Sequence, residues 1–207
     1  MKIVLLGAPG SGKGTQASLL KEKLGYAHIS TGDIFRDNIK RKTPIGRQIE
    51  EIIDRGDFCP DEMTVEIVKD RLSLPDCADN YILDGFPRNI FQATELDKFS
   101  SPDIVINLDV SEKTIVHRIT GRRVCASCKS SYHTDVIGTS EICGKCGGSL
   151  KKRDDDNAES VKERISVYNS KTKPLIDFYK KQGKLVSVNG EGNGAEIFDE
   201  LLKVLNK

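Results

Sequence analysis

Short apolar runs alternate along the chain with stretches of helical period, and that alternation sets the expected fold. Ile3-Val4-Leu5-Leu6 is an apolar run closed by glycines, which predicts a strand buried on both faces. Gly12 to Leu24 carries Ala17, Leu20 and Leu24 at helical spacing and is closed by Gly25. Ala27-His28-Ile29 predicts a second strand, with Ser30 or Thr31 capping the helix that follows. Thr43 and Pro44 read as the N-cap and first position of another helix, whose stripe Ile45, Ile49, Ile52, Ile53 runs to Gly56. A further helix starts near Asp61, with Val65, Val68 and Leu72 facing inward. Tyr81 to Leu83 and Ile104 to Leu108 predict buried strands, and Ser111 caps the helix after the second. Lys184 to Val188 is the last expected strand and Ala195 to Leu205 the last helix.

Strands alternating with helices predict an α/β fold, its mainly parallel sheet covered by helices on both faces. Two segments break the alternation and read as lobes inserted into the core. One, 30–59, is helical; the other, 121–158, is rich in Gly, Ser and Cys and has no long periodic run. The core then comprises 1–29, 60–120 and 159–207. Its helix from Asn157 to about Lys181 contains Pro174, which predicts a kink or a local end.

A chain of 207 residues has room for one sizeable core with small lobes. Its 32 basic and 31 acidic side chains nearly cancel, which argues against a nucleic-acid coat or a polybasic membrane binder. No apolar run approaches the ~20 residues of a membrane span, and the four apolar residues near the start are too few for a secretory signal. A cytoplasmic setting is therefore expected. There the six cysteines are thiols or metal ligands in preference to disulfides.

Gly7-Ala8-Pro9-Gly10-Ser11-Gly12-Lys13-Gly14-Thr15 follows a buried strand and opens a helix, the context of a phosphate-binding loop. Small residues let successive N–H groups turn inward on a polyphosphate, and Lys13 adds a charge at its β and γ groups. The general pattern places Ser or Thr directly after the lysine. Here Gly14 intervenes before Thr15, which leaves a magnesium role for that hydroxyl open. Asp84 ends an apolar strand on the side where such sheets bind ligands, and a carboxylate there can hold Mg2+ through its water shell.

Cys125-x2-Cys128 and Cys143-x2-Cys146, fourteen residues apart, form two knuckles suited to a tetrahedral four-thiolate site. The full sulfur set marks a structural ion, zinc before iron. Cys59 and Cys77 lack partners in spacing and read as ordinary thiols. The histidines His28, His117 and His133 are read most simply as structural or surface residues.

GAPGSGKGTQ, then STGD at Ser30 to Asp33, LDGFPR at Leu83 to Arg88 and GRR at Gly121 to Arg123 resemble, in order, the motifs of adenylate kinases. The resemblance runs from Met1 to the final helix. It implies a P-loop kinase core with a five-stranded parallel sheet, a nucleoside-monophosphate-binding lobe at 30–59 and a zinc-bearing lid at 121–158. The implied reaction transfers the terminal phosphoryl group of Mg·ATP to AMP, giving two ADP. Arg36, Arg88, Arg118, Arg122, Arg153 and Arg164 fall where the family clamps phosphates. Guanidinium forks suit phosphate oxygens, and a phosphate acceptor needs no general base. The ATP side is implied to be Gly10, Ser11, Gly12, Lys13, Gly14, Thr15, Arg118 and Arg122, with Ser131, Tyr132 and Gly192. The AMP side is implied to be Thr31, Arg36, Asp57, Phe58, Cys59, Gly85, Phe86, Pro87, Arg88, Gln92, Arg153 and Arg164, Gln92 reading adenine. Asp154-Asp155-Asp156 resembles the acidic segment at the far lid hinge, either paired with arginines or solvated. Two alternatives stay open: another acceptor base, or a zinc-ribbon ATPase acting on nucleic acid. A monomer is the expected state.

Overall fold

The computed structural model describes residues 1–54, 59–153 and 156–206. The helix stop at Gly56, the expected contacts Asp57 and Phe58, and Asp154 and Asp155 lie outside them. Among the described residues the strands are β1 (Lys2–Leu6), β2 (Ala27–Ser30), β3 (Tyr81–Asp84), β4 (Ile104–Asp109), β5 (Arg122–Cys125), β6 (Ser131–His133), β7 (Leu150–Lys151) and β8 (Leu185–Asn189). The α-helices are α1 (Lys13–Leu24), α2 (Thr31–Lys40), α3 (Pro44–Asp54), α4 (Asp61–Leu72), α5 (Ile90–Ser100), α6 (Glu112–Thr120), α7 (Thr134–Ile137), α8 (Ala158–Val167), α9 (Pro174–Lys181) and α10 (Gly194–Val204).

A five-stranded parallel sheet in the order β2-β3-β1-β4-β8 forms the core. Alternate side chains of β1 feed two apolar layers, which is why its sequence is apolar from Ile3 to Leu6. Val4 and Leu6 join Leu83, Val105, Val68, Leu96 and Leu175 on one face. Ile3 and Leu5 join Ile82, Ile106, Ala17, Leu20, Ile197 and Leu201 on the other. The chain crosses from one side of β1 to the other between β3 and β4, so the carboxyl ends of β1 and β3 open onto a crevice.

Local signals work as read at several ends. Thr43 Oγ1 accepts the Gly46 N–H at 3.0 Å, three residues into the helix that Pro44 starts. Ser30 and Ser111 cap α2 and α6, and α10 begins with a capping box of Asn193 and Glu196 that the sequence reading did not name. Pro174 acts as expected, by a specific route. The chain leaves α8, makes a π-helical turn over Tyr168–Thr172 with Lys173 N donating to Tyr168 O at 2.8 Å, and restarts as α9 at the proline.

Two features depart from the sequence reading. Helix α5 lacks a broad apolar stripe because Ile90 and Phe91 point outward, leaving Ala93 and Leu96 as its fully buried anchors. The lid region holds a small antiparallel sheet, β6-β5-β7, whose strands of two to four residues are too short to print a period. Cys125, Cys143 and Leu150 form its small core, with Tyr132 and Ile137 against them.

Candidate active site

The loop between β1 and α1 is shaped as a cradle. Gly12 takes φ 100°, which an L side chain rarely adopts, and ends the loop as a helix N-cap without a side-chain cap. The first amides of α1 are thus left for a ligand. Lys13 Nζ donates to Gly7 O at 2.7 Å, Ala8 O at 2.9 Å and Ser11 Oγ at 3.4 Å. Burial lowers its pKa to about 8, against the pull of Asp84 and with the help of the cations Arg88, Arg164 and Arg122. Gly10 lies in the loop and Thr15, exposed, in the first turn of α1.

Asp84 stands at the carboxyl end of β3 with Oδ2 3.6 Å from His28 Nε2. Burial pushes its carboxyl up, but His28, Lys13 and Arg88 more than offset this and hold it below the usual range. A Cβ at Gly14 would sit 3.3 Å from Asp84 Oδ2. The glycine after Lys13 therefore keeps open the space between the helix and this carboxylate.

Cations converge on the same crevice. Arg118, in the last turn of α6, donates to Ser11 O at 3.2 Å and to Gly190 O and Gly192 O at 2.9 and 3.0 Å. The guanidinium thereby ties the cradle to the loop before α10. Arg122, at the start of β5, donates to both carboxylate oxygens of Asp156, Nε at 2.8 Å, and Arg164 approaches the same carboxylate at 3.5 Å. Asp156 is fully buried, so the acidic segment is not a solvated run at this position. Arg153 lies just ahead of the undescribed pair 154–155.

A second group of residues lines the crevice beside β3. Gly85 O accepts from Thr31 Oγ1 at 2.9 Å and from Arg88 Nε at 2.8 Å. Phe86 and Pro87, joined by a cis peptide bond, are buried beneath this turn. Gln92 is buried too: Oε1 accepts from Arg88 N at 2.8 Å and Nε2 donates to Asp61 at 2.7 Å. One amide hydrogen and one lone pair of Gln92 remain for a further partner. Arg36 pairs with Asp33 at 2.7 Å. Burial raises the Cys59 thiol, which Thr64 and the nearby Arg88 partly oppose.

In the lid, the four cysteine sulfurs lie within 4.8 Å of one another. Cys125–Cys146 and Cys128–Cys143 are 3.5 and 3.6 Å apart, close to the about 3.8 Å edge of a zinc–thiolate tetrahedron. The Cys128 N–H donates to Cys125 Sγ at 3.4 Å. Tyr132 OH lies 3.2 Å from Cys143 Sγ and holds that thiol down to about 6. These donors fit a four-sulfur metal site. Ser131 and Tyr132 thus belong to the lid sheet, and the tyrosine hydroxyl is turned toward the cysteines, not toward the cradle.

Sequence reasoning missed three supports of the crevice: His28 beside Asp84, Asp33 on Arg36, and Asp61, which holds both Asn89 and Gln92. A signal existed for Asp33, three residues before Arg36 on one helix. The partners of Asp61 lie 28 and 31 residues away, beyond any local pattern.

A glycine-rich cradle at the end of the first strand, a half-buried lysine and converging arginines define a P-loop kinase. The model of the adenylate kinase family matches residues 5–184. The chain is 48% identical to the adenylate kinase of Clostridium tetani, over 99% of this chain and 98% of that protein. It is 47% identical to the adenylate kinase of Acetivibrio thermocellus, over 100% and 98%. Against the adenylate kinase of Methanothrix thermoacetophila the identity is 46%, over 100% and 99%. The chain belongs to the adenylate kinase family.

Proposed function

We propose that this protein transfers the terminal phosphoryl group of Mg·ATP reversibly to AMP, giving two ADP. The observation that carries this reading is the cation cluster on Lys13. Burial first, and then Arg88, Arg164 and Arg122, lower the Lys13 pKa; among the described residues Asp84 opposes them at the lysine and Asp156 pairs with Arg122 and Arg164. Such crowding costs free energy in the unliganded protein and is relieved by a triphosphate and a monophosphate held end to end.

On this reading the loop from Gly10 to Thr15 cradles the ATP phosphates, with Lys13 at the β and γ groups. Arg118, Gly192 and, from β6, Ser131 and Tyr132 complete the ATP side, Tyr132 through its ring or backbone because its hydroxyl is held at Cys143. Three of the five Arg118 donors are used on backbone carbonyls, which fixes its guanidinium beside the cradle. Thr31, Arg36, Asp57, Phe58, Cys59, the Gly85–Arg88 turn and Gln92 receive AMP, with Arg153 and Arg164 shared across the transferred group. Acceptor AMP enters as an anion, so the residues here orient and neutralise and no side chain removes a proton. Asp84 would hold Mg2+ through water, supported by His28; the ion would supply charge neutralisation at the β and γ oxygens.

The lobe 30–59 and the lid 121–158 close over the core 1–29, 60–120 and 159–207, keeping water from the activated group. Cys125, Cys128, Cys143 and Cys146 hold a structural zinc that gives the lid the stability its small apolar core lacks. Free thiols at Cys59 and Cys77 suit a cytoplasmic protein, and a monomer suits the fold.

The test is transfer from Mg·ATP to AMP, GMP, CMP and UMP, by wild type and Arg88→Ala. Activity confined to AMP, reduced by about 10³-fold or more in the variant, is expected. Preference for another monophosphate would move the specificity, and inactivity of metal-replete protein on every acceptor would refute the kinase reading.

A further inference from the structure

Outside the crevice, one cluster of ligating side chains has no place in the reaction above. His117 lies in the last turn of α6, on the core side of Gly121. His133 ends β6 and Asp135 is in the first turn of α7, both in the lid. His117 Nε2 is 2.8 Å from Asp135 Oδ2, and His133 Nδ1 is 3.4 Å from the same oxygen. The two imidazoles face each other with ring centres 4.8 Å apart and planes tilted by 42°. One ligating atom from each residue lies within 4.8 Å of the others.

We infer that His117, His133 and Asp135 form a second metal site, distinct from the cysteine quartet, which takes a borderline divalent ion such as Zn2+ at the junction of core and lid. Two imidazoles and a carboxylate are the donors that such ions select, and hard Mg2+ disfavours them. Tetrahedral coordination at bond lengths near about 2.1 Å places ligand atoms about 3.4 Å apart. The carboxylate already stands near that separation from both rings. Only the two ring nitrogens must draw together, and His117 and Asp135, with side chains 61% and 62% exposed, are free to do so. A water would fill the open fourth position.

His133 is the fixed member. Its ring fills the space a side chain at Gly121 would take, so that a Cβ there would collide with it. Its Nε2 lies 3.1 Å from His117 O as a donor, which sets the tautomer and leaves the Nδ1 lone pair toward Asp135. That second-partner arrangement is the one metal-bound imidazoles use. At present Nδ1 accepts the Asp135 N–H at 3.2 Å, a bond the ion would replace.

The site spans the junction, so occupancy bears on the lid. Residue His133 faces Arg122 in the β5–β6 register, and Arg122 reaches into the crevice. An ion joining β6 to α6 therefore restrains the strand that carries that arginine. It acts as a clasp on the hinge and takes no part in the transfer.

The test counts zinc on full-length protein whose cysteine site is already filled. Equilibrium dialysis against buffered Zn2+, with metal analysis, should find a second ion per chain in wild type and its loss in His117→Ala and Asp135→Ala. A weak chelator should remove the second ion and leave the first. The ring resonances of His117 and His133 should shift on zinc addition while those of His28 hold still, a readout independent of activity. Both substitutions fall on largely exposed side chains, and thermal melts of the metal-replete variants establish that they are folded. No second ion in wild type, or a second ion that persists in both variants, overturns the site.

Discussion

Lys13 makes nucleotide binding proton-linked, and the size of the link follows from the structure. In the free protein its pKa lies at about 8, lowered from an ordinary 10.5 by burial and by Arg88, Arg164 and Arg122. Only the ammonium form can pair with a β or γ phosphate, and the negative phosphate oxygens return the pKa toward its ordinary value. The sign follows: the free protein binds fewer protons than the complex wherever pH lies between about 8 and the bound pKa. Binding then takes up about half a proton at pH 8 and about 0.9 at pH 9. Affinity is greatest below pH 8 and falls as pH rises through it. From pH 7 to pH 9 the protonated fraction of free Lys13 drops from about 0.9 to about 0.1, so affinity falls about tenfold, or ~1.4 kcal/mol. Above pH 7.5 the nucleotide's own charge is nearly constant and the arginines do not titrate, which isolates the lysine. Calorimetry with Mg2+ and a non-transferable ATP analogue, at pH 7, 8 and 9 in buffers of different ionisation enthalpy, reads the uptake directly. Lys13→Arg, permanently charged, should bind with no buffer dependence. Enthalpies equal across buffers at pH 8 and 9 in wild type would refute the reasoning.

Three other outcomes are expected. Asp156→Asn removes the carboxylate between Arg122 and Arg164 and should lower stability by about 3 kcal/mol in chemical denaturation, the scale for breaking a buried ion pair; an unchanged midpoint would show the pair to be solvent-compensated. Asp61→Ala frees Gln92 and Asn89, so KM for AMP should rise about tenfold with kcat within about twofold, seen in initial rates at saturating ATP. Cys143→Ser deletes one thiolate of the quartet and should abolish zinc retention by the cysteine site; a thermal scan should then show an earlier, separate lid transition, with the core transition near its wild-type temperature.

What could be read from the chain and what could not divides along sequence distance. β1 and β4 announce themselves because both faces of each are buried, so the run from Ile3 to Leu6 is wholly apolar and β4 is apolar but for Asn107 and its last residue, Asp109. Thr43-Pro44 sets a helix start, and the paired CxxC knuckles set a four-sulfur cluster that fits a metal, because each signal is complete within a few residues. The same holds for the cradle from Gly7 to Thr15, whose glycines serve a conformation the loop itself demands. The supports of the site lie elsewhere. His28 reaches Asp84 across β2 and β3, which are parallel neighbours only once the sheet exists. Asp61 finds Gln92 by the packing of α4 on α5, and α5 itself was illegible because its outward Ile90 and Phe91 blur the periodic face.

Asp156 shows why the second kind of information matters. As one of three consecutive aspartates it reads equally as a solvated tract or as an arginine partner. The fold decides the matter by bringing Arg122 from the start of the lid and Arg164 from α8 to a position with no solvent access. A fully buried carboxylate is compensated there by both cations, which the proposed function assigns to the phosphates. The free protein thus keeps its arginines from repelling one another with an internal anion, which substrate phosphate must outcompete. On the proposed function that exchange would tie the closing of the lid to the arrival of charge, and it gives the Asp156→Asn variant a second expected mark: a lower KM for ATP beside its lower stability.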